Sequence, residues 1–491
     1  MVTRLASRCL TLCLVTLGLV TLGLLAGRSQ VAAAAPATPF QLPLQRTKLA
    51  GGLRIVMNVD RSAPLVVVAM SYLAGTADEP SRRSGAAQLV ERMMFAGSAQ
   101  VGDGQHRKSI AAIGGWTAVE RTTEVTSYLN VVPPEGVPLA LWLEGQRMAS
   151  LTVPAVALER ERRALRVERD EVTWRQVTEL GRARLIALAL QGPIRHGHTL
   201  LNEVGTITAS EVRAFHQSFY GPARAVLTVV GDFEPNAVVA AAKRYLDPIA
   251  RPTAARGTSR QPPPQTTRRS SSLVHRGAHR GGLAYGWAIP GREAPDHAAL
   301  EIAGALLAGG RASAVHRQLV VTKGKALQVT ARSEQLSGID VLGVSVELPR
   351  GIAPHDVAAA IEHHARRLGQ RGPEPAALRS AQRQLLTRRL AELSDMPTRT
   401  HRLAECELVD GSAEQLVPRL ARYDQATAED VRRAAARYLV PQRSTVVESF
   451  AVSIPATPGA KAKKSKAKKS TKPKGKRPAR RPTKTGGSSK R

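Results

Sequence analysis

The strongest constraint on this chain is a repeat: helix cap, helix length, proline break and strand all recur roughly 220 residues apart. Thr208-Ala-Ser-Glu-Val-Arg213 resembles Thr427-Ala-Glu-Asp-Val-Arg432. Each threonine stands at an expected helix N-cap, with an acid three residues on whose side chain can bond back to the cap. Each segment meets a proline ten residues past its valine, Pro222 and Pro441. Proline lacks the N–H that a helix needs and clashes with the preceding turn. A β-branched run follows each time, over 225–230 and 444–447. The chain therefore reads as two homologous α/β halves of about 200 residues.

The ends of the chain read differently. Arg4 and Arg8 precede a nearly unbroken apolar run from Cys9 to Ala26, and Ala32 and Ala34 offer small residues for cleavage. That order predicts an export signal over 1–34 and a body in the periplasm or cell envelope; an uncleaved membrane anchor is the alternative. Cys9 and Cys13 fall inside the signal, so Cys406 would remain alone and no internal disulfide could form. Its helical setting predicts a buried thiol. The net charge is +32, yet residues 459–491 hold 15 lysines and arginines and no acid. The body is only mildly basic, which argues against a concentrated nucleic-acid face. Residues 456–491 lack core-forming side chains and are expected to be disordered, with non-specific polyanion contact through 459–491.

Between these ends, apolar patterning predicts strands over 53–57, 65–70, 282–289, 326–332 and 339–347. Helices are predicted over 84–97, 105–113, 135–150, 155–192, 296–308 and onward to 438. Residues 251–272 contain Pro262-Pro-Pro264 and read as a linker between domains at 44–250 and 273–455.

The most informative segment is Gly85-Ala-Ala-Gln-Leu-Val-Glu-Arg-Met-Met-Phe-Ala-Gly-Ser98. Positions 88, 91 and 92 share one helix face. The segment resembles the inverted zinc motif, His-x-x-Glu-His, of the M16 zinc peptidases (the pitrilysin and insulinase family). Gly85, Ala87, Glu91, Met93, Phe95 and Gly97 match, whereas Gln88 and Arg92 stand where the two histidines belong. Glu159-Arg-Glu-Arg-Arg-Ala-Leu-Arg-Val-Glu168 resembles the helix that supplies the third ligand, here Glu168. The resemblance makes Glu91 a remnant general base. A neutral amide is a poor zinc ligand, and a guanidinium has no lone pair to offer a cation. No metal or other cofactor is expected, although active relatives hold zinc. Arg92 is expected to take the metal's electrostatic place by bridging Glu91 and Glu168.

Other family positions have changed too. Within the segment resembling the substrate-side strand, 114–128, Ala118 replaces an asparagine, while Glu124, Thr126 and Tyr128 remain. Val320 and Leu327 fall where the resemblance places an arginine and a tyrosine. His196, His198, His363 and His364 lack acidic or cysteine ligands at useful spacing and read as structural or surface residues. No nucleophile elbow, phosphate loop or dinucleotide fingerprint occurs.

Over about 45–450, the resemblance implies an α+β protein whose halves each pack a mixed, largely antiparallel sheet with helices. It implies a non-catalytic subunit that pairs with an active zinc-bearing M16 paralogue as a hetero-oligomer and helps enclose a peptide or unfolded polypeptide. Two alternatives remain open: a metalloendopeptidase with an atypical site, and an envelope scaffold acting through its basic tail.

Overall fold

The computed structural model describes residues 40–80, 83–175, 177–190, 201–249, 264–276, 278–336 and 338–452. The predicted export signal, His196, His198, most of the predicted linker and the basic tail lie outside the described residues.

The first sheet contains β1 (Gln45–Lys48), β2 (Arg54–Val59), β3 (Val66–Tyr72), β4 (Trp116–Arg121), β5 (Thr126–Val132) and β6 (Ala225–Gly231), in the order β1-β2-β6-β3-β5-β4. The second contains β7 (Arg269–Arg276), β8 (Gly281–Pro290), β9 (Gln328–Gln335), β10 (Ile339–Leu348) and β11 (Ser444–Val452), in the order β7-β11-β8-β10-β9. Setting aside β1, the two orders coincide strand for strand. In each sheet one pair is parallel, β2 with β6 and β7 with β11, and every other pair is antiparallel. The repeat seen in the sequence is thus a repeat of topology. β7 opens at Arg269, inside the stretch read as linker.

The helices of the first half are α1 (Ala86–Met93), α2 (Gln105–Ala112), α3 (Val137–Ala149), α4 (Ala155–Arg175), α5 (Val177–Leu190), α6 (Ala209–Phe219) and α7 (Pro235–Leu246). Those of the second are α8 (His297–Ala308), α9 (His355–Arg371), α10 (Pro375–Ser394), α11 (Met396–Val409), α12 (Leu416–Gln425) and α13 (Ala428–Tyr438). Both expected capping boxes form. Thr208 accepts from the Glu211 N–H at 3.3 Å while Glu211 accepts from the Thr208 N–H at 2.7 Å. Thr427 and Asp430 do the same at 3.1 and 3.0 Å.

The helical run expected over 155–192 is two helices with different duties. α4 packs on α1, whereas α5 crosses to the second sheet and lies over β8, β10 and β11. In return, α11 of the second half lies over β3, β5 and β6 of the first sheet. Each half therefore lends one helix to the outer face of the other's sheet. This exchange explains why β3, β5 and β6 are buried at every position: strands covered on both faces have no solvent side. The inner faces hold the two main cores, one around Met70, Leu89 and Leu227 and the other around Tyr285, Leu300 and Val344.

Small residues receive each exchanged helix. Ser71 and Ser127 face each other in register on β3 and β5, and their hydroxyls bond at 2.7 Å. Ser127 Oγ then meets His401 Nδ1 of α11 at 2.8 Å. On the second sheet the facing pair is Gly286 and Gly343. A Cβ on Gly286 would lie 2.9 Å from Leu185 Cδ2 of α5, so glycine there makes the socket.

Candidate functional site

α1 begins at Gly85, whose φ of 93° is one that glycine adopts without strain. Glu79 caps it: its Oε1 accepts the N–H groups of Gly85 and Ala87, each at 3.0 Å. A carboxylate there also meets the positive end of the helix dipole. Gln88 is buried, at 3% exposure, against the core. Glu91 and Arg92 lie on the rim of the helix and are partly exposed.

Arg92 and Glu168 come together, as expected. Arg92 Nη2 donates to Glu168 Oε2, joining α1 to α4. Arg92 Nη1 also stands 3.5 Å from Glu161 Oε2, a second carboxylate on α4. The expected bridge to Glu91 does not form. Glu91 accepts instead from Arg121 Nη1 at 2.6 Å, and Arg121 belongs to edge strand β4. The two acids of the family's site are therefore held by different arginines and belong to different contacts. The reason is geometric: residues 91 and 92 are neighbours 100° apart on a helix, so one leans to the sheet edge and the other to α4.

The pairing to Arg121 was not legible, because it depends on where β4 lies. Glu161 was legible in principle: it is seven residues, two helical turns, before Glu168 and so shares its face.

The donor set does not fit zinc. Gln88 offers an amide that is turned into the core, and Arg92 puts a permanent cation beside the carboxylate that would bind the ion. Among the described residues, no three His, Cys, Asp or Glu side chains gather in a way that could hold a metal ion.

Several other expected positions are core residues. Tyr128 is fully buried, edge-on to Tyr72, and burial, with Tyr220 and then Glu91 nearby, pushes its phenol well above the usual range. Thr126 donates to the Ala74 carbonyl at 2.9 Å. Ala118 lies on β4, Val320 packs against the second core, and Leu327 is exposed. His363 and His364 sit edge to face, with His364 Nε2 at 2.7 Å from Gln318 Oε1. Cys406 is buried on α11, and burial pushes its thiol up to about 12. A thiol that hard to ionise is no nucleophile at neutral pH.

The second half carries a counterpart of the Arg92–Glu168 contact. α8 follows β8 as α1 follows β3, and α10 precedes the exchanged α11 as α4 precedes α5. Across α8 and α10 lies Glu301–Arg389, 3.1 Å between Oε1 and Nη2. It is the same link with reversed polarity. Both halves of this chain thus join the corresponding helices by an ion pair.

Two family models match the chain. The family described as Insulinase (Peptidase family M16) matches residues 54–194, and the one described as Peptidase M16 inactive domain matches residues 206–385. The chain belongs to the M16 peptidase family. Among its M16 relatives is an uncharacterized zinc protease of Mycobacterium tuberculosis, 27% identical over 420 residues, covering 83% of this chain and 93% of that protein. A protease from Helicobacter pylori superposes with a TM-score of 0.77 at 20% identity, covering 84% of this chain and all of that one. The first half of the periplasmic protease PqqL from Escherichia coli gives 0.65 at 18%, covering 84% of this chain and 93% of that one. At such identities the structural likeness speaks to fold. Among the described residues, no helix is long and apolar enough to cross a membrane.

Proposed function

We propose that this chain is a non-catalytic M16 subunit of the cell envelope, which pairs with an active zinc-bearing M16 paralogue and helps enclose a peptide. One observation carries the reading: Arg92, which stands where the resemblance places a ligand, is ion-paired to Glu168, the acid at the position of the third ligand. The second acid, Glu91, is tied to Arg121, so it is engaged as an ion-pair partner and is not free to act as a base. The two-half fold persists around these changes, which supports a role in which shape and surface matter more than chemistry. Among the described residues, edge strand β4 has an unpaired side, and it carries half-exposed Trp116. Such an edge can take an extended peptide as an added strand.

Relatives named zinc proteases favour a second reading, in which the site binds zinc with an unmatched ligand. Metal analysis of the purified chain separates the two. The proposal expects less than a tenth of an equivalent of zinc, and recovery of an M16 paralogue with an intact motif when the chain is purified from its native envelope. Stoichiometric zinc that is lost on Glu168→Ala would hand the site to the second reading. A monodisperse monomer from native extract would end the pairing.

A further inference from the structure

A hollow of about 360 Å³ lies in the second half, between the end of α8, the turn after it, and the α9–α10 corner. It is separate from the α1–α4 contact and does not depend on how the metal site is read. Its floor is apolar: Leu307 and Leu368 are core residues, and Leu306 packs against them. Alanines at 305, 312, 377 and 381 leave the space open.

The wall is cationic. Arg317, Arg367 and Arg371 line it against a single acid, Glu374. Among the described residues, none of these three guanidiniums is in an ion pair. Other arginines, Arg92, Arg182, Arg389 and Arg402 among them, are each committed to carboxylates. The charge is felt locally: burial, then His363, Arg367 and Arg317 depress the His364 imidazole, whose ring also lines the hollow. The turn itself is unusual. Residues Arg317–Thr322 form a π-helical turn, a rare conformation found mostly where function retains it. It is braced against α9 by the Gln318–His364 contact.

We propose that this hollow binds a carboxylate borne on a branched apolar body, with Arg317, Arg367 and Arg371 taking the charge and the leucine floor taking the body. Guanidinium matches carboxylate as a two-bond fork, and 360 Å³ is within the range of small-ligand sites. Inorganic phosphate would satisfy the arginines alone and leave the leucines wet. The carboxylate could belong to a peptide C-terminus or to a free organic acid.

Calorimetry on the full chain at low salt tests this with four probes: N-acetyl-Leu-Leu, its C-terminal amide, 4-methylvalerate and inorganic phosphate. The acid peptide is expected to bind at least about tenfold more tightly than the amide, because only the acid offers the fork. Arg317→Gln with Arg371→Gln should erase that preference while leaving the melting curve unchanged, since both side chains are exposed. If 4-methylvalerate matches the peptide acid, the source is a free acid; if it binds far more weakly, the source is a peptide terminus. Equal binding of acid and amide, phosphate binding as tight as the peptide acid, wild-type affinity in the double variant, or no binding at all would each overturn the proposal.

Discussion

Arg92 stands where the resemblance to the zinc motif places a ligand, and it joins α1 to α4 through Glu168. Removing two histidines would leave Glu161 and Glu168 facing α1 with no positive charge between them; Arg92 provides one. Both Arg92 and Glu168 are partly solvated, at 29% and 43% side-chain exposure, so the pair is worth little more than a surface bridge. Arg92→Ala should therefore cost about 1 kcal/mol in urea unfolding, with an unchanged curve speaking against any structural role. The reverse change asks more. Gln88→His with Arg92→His restores two imidazoles at i and i+4 beside Glu168, and this variant should gain close to one equivalent of zinc. Failure to gain metal would mean that the helices have shifted as well as the ligands.

The exchanged helices are the elements on which the molecule turns. α11 is fastened to the first sheet by His401 on Ser127, by Arg399 on Asp60, and by Arg46 and Arg54 on Glu407. Burial depresses His401 to about 4, well below the usual histidine value. Since the unfolded chain then takes up that proton first, the contribution is whole above pH 6.5 and is lost as pH falls toward 4. Burial alone would raise the Glu405 carboxyl, but Arg292 and Arg402 outweigh it and hold it at about 2, so its contribution fades only below pH 4.5. His401 should thus contribute up to about 3 kcal/mol to the drop in unfolding free energy between pH 6.5 and 4, buried His106, held at about 3, adding its own share, and His401→Gln should make that slope shallower. A slope unchanged in the variant would place the acid sensitivity elsewhere. On the other sheet, Gly343→Leu should block the socket for Leu185 and loosen α5, seen as faster amide exchange over residues 177–190.

At the scale of the whole molecule, the two halves are similar in topology yet not independent. Each sheet has one face covered by a helix that the other half supplies. A fragment ending at residue 250 would keep α5 with no sheet to cover, and would bare Val56, Val226 and Val230 where α11 had lain. Exposed apolar surface of that extent promotes association. The first half expressed alone should bind a hydrophobic dye or precipitate, while co-expression with the second half should restore a soluble complex. A soluble, cooperatively melting first half on its own would mean that the exchange is ornamental. The ion pairs Asp60–Arg399 and Arg182–Glu334 also cross between halves, and added salt should loosen the assembly modestly.

What the sequence determined by itself is what depends on near neighbours. The capping boxes at Thr208 and Thr427, the stops at Pro222 and Pro441, the α1 face and the amide and guanidinium at positions 88 and 92 are all local, and local chemistry can be read along the chain. Topological duplication followed because repeated local signals fold into repeated units. Tertiary structure alone decided which arginine holds Glu91, that α4 packs on α1 while α5 covers the second sheet, and that Tyr128 is core. Those outcomes depend on residues far apart in sequence: the pairing of β4 to β5 places Arg121 beside Glu91, and α5 lies on strands β8 and β10, about a hundred residues or more further along the chain. Apolar patterning says that a face must be covered, but not by which helix.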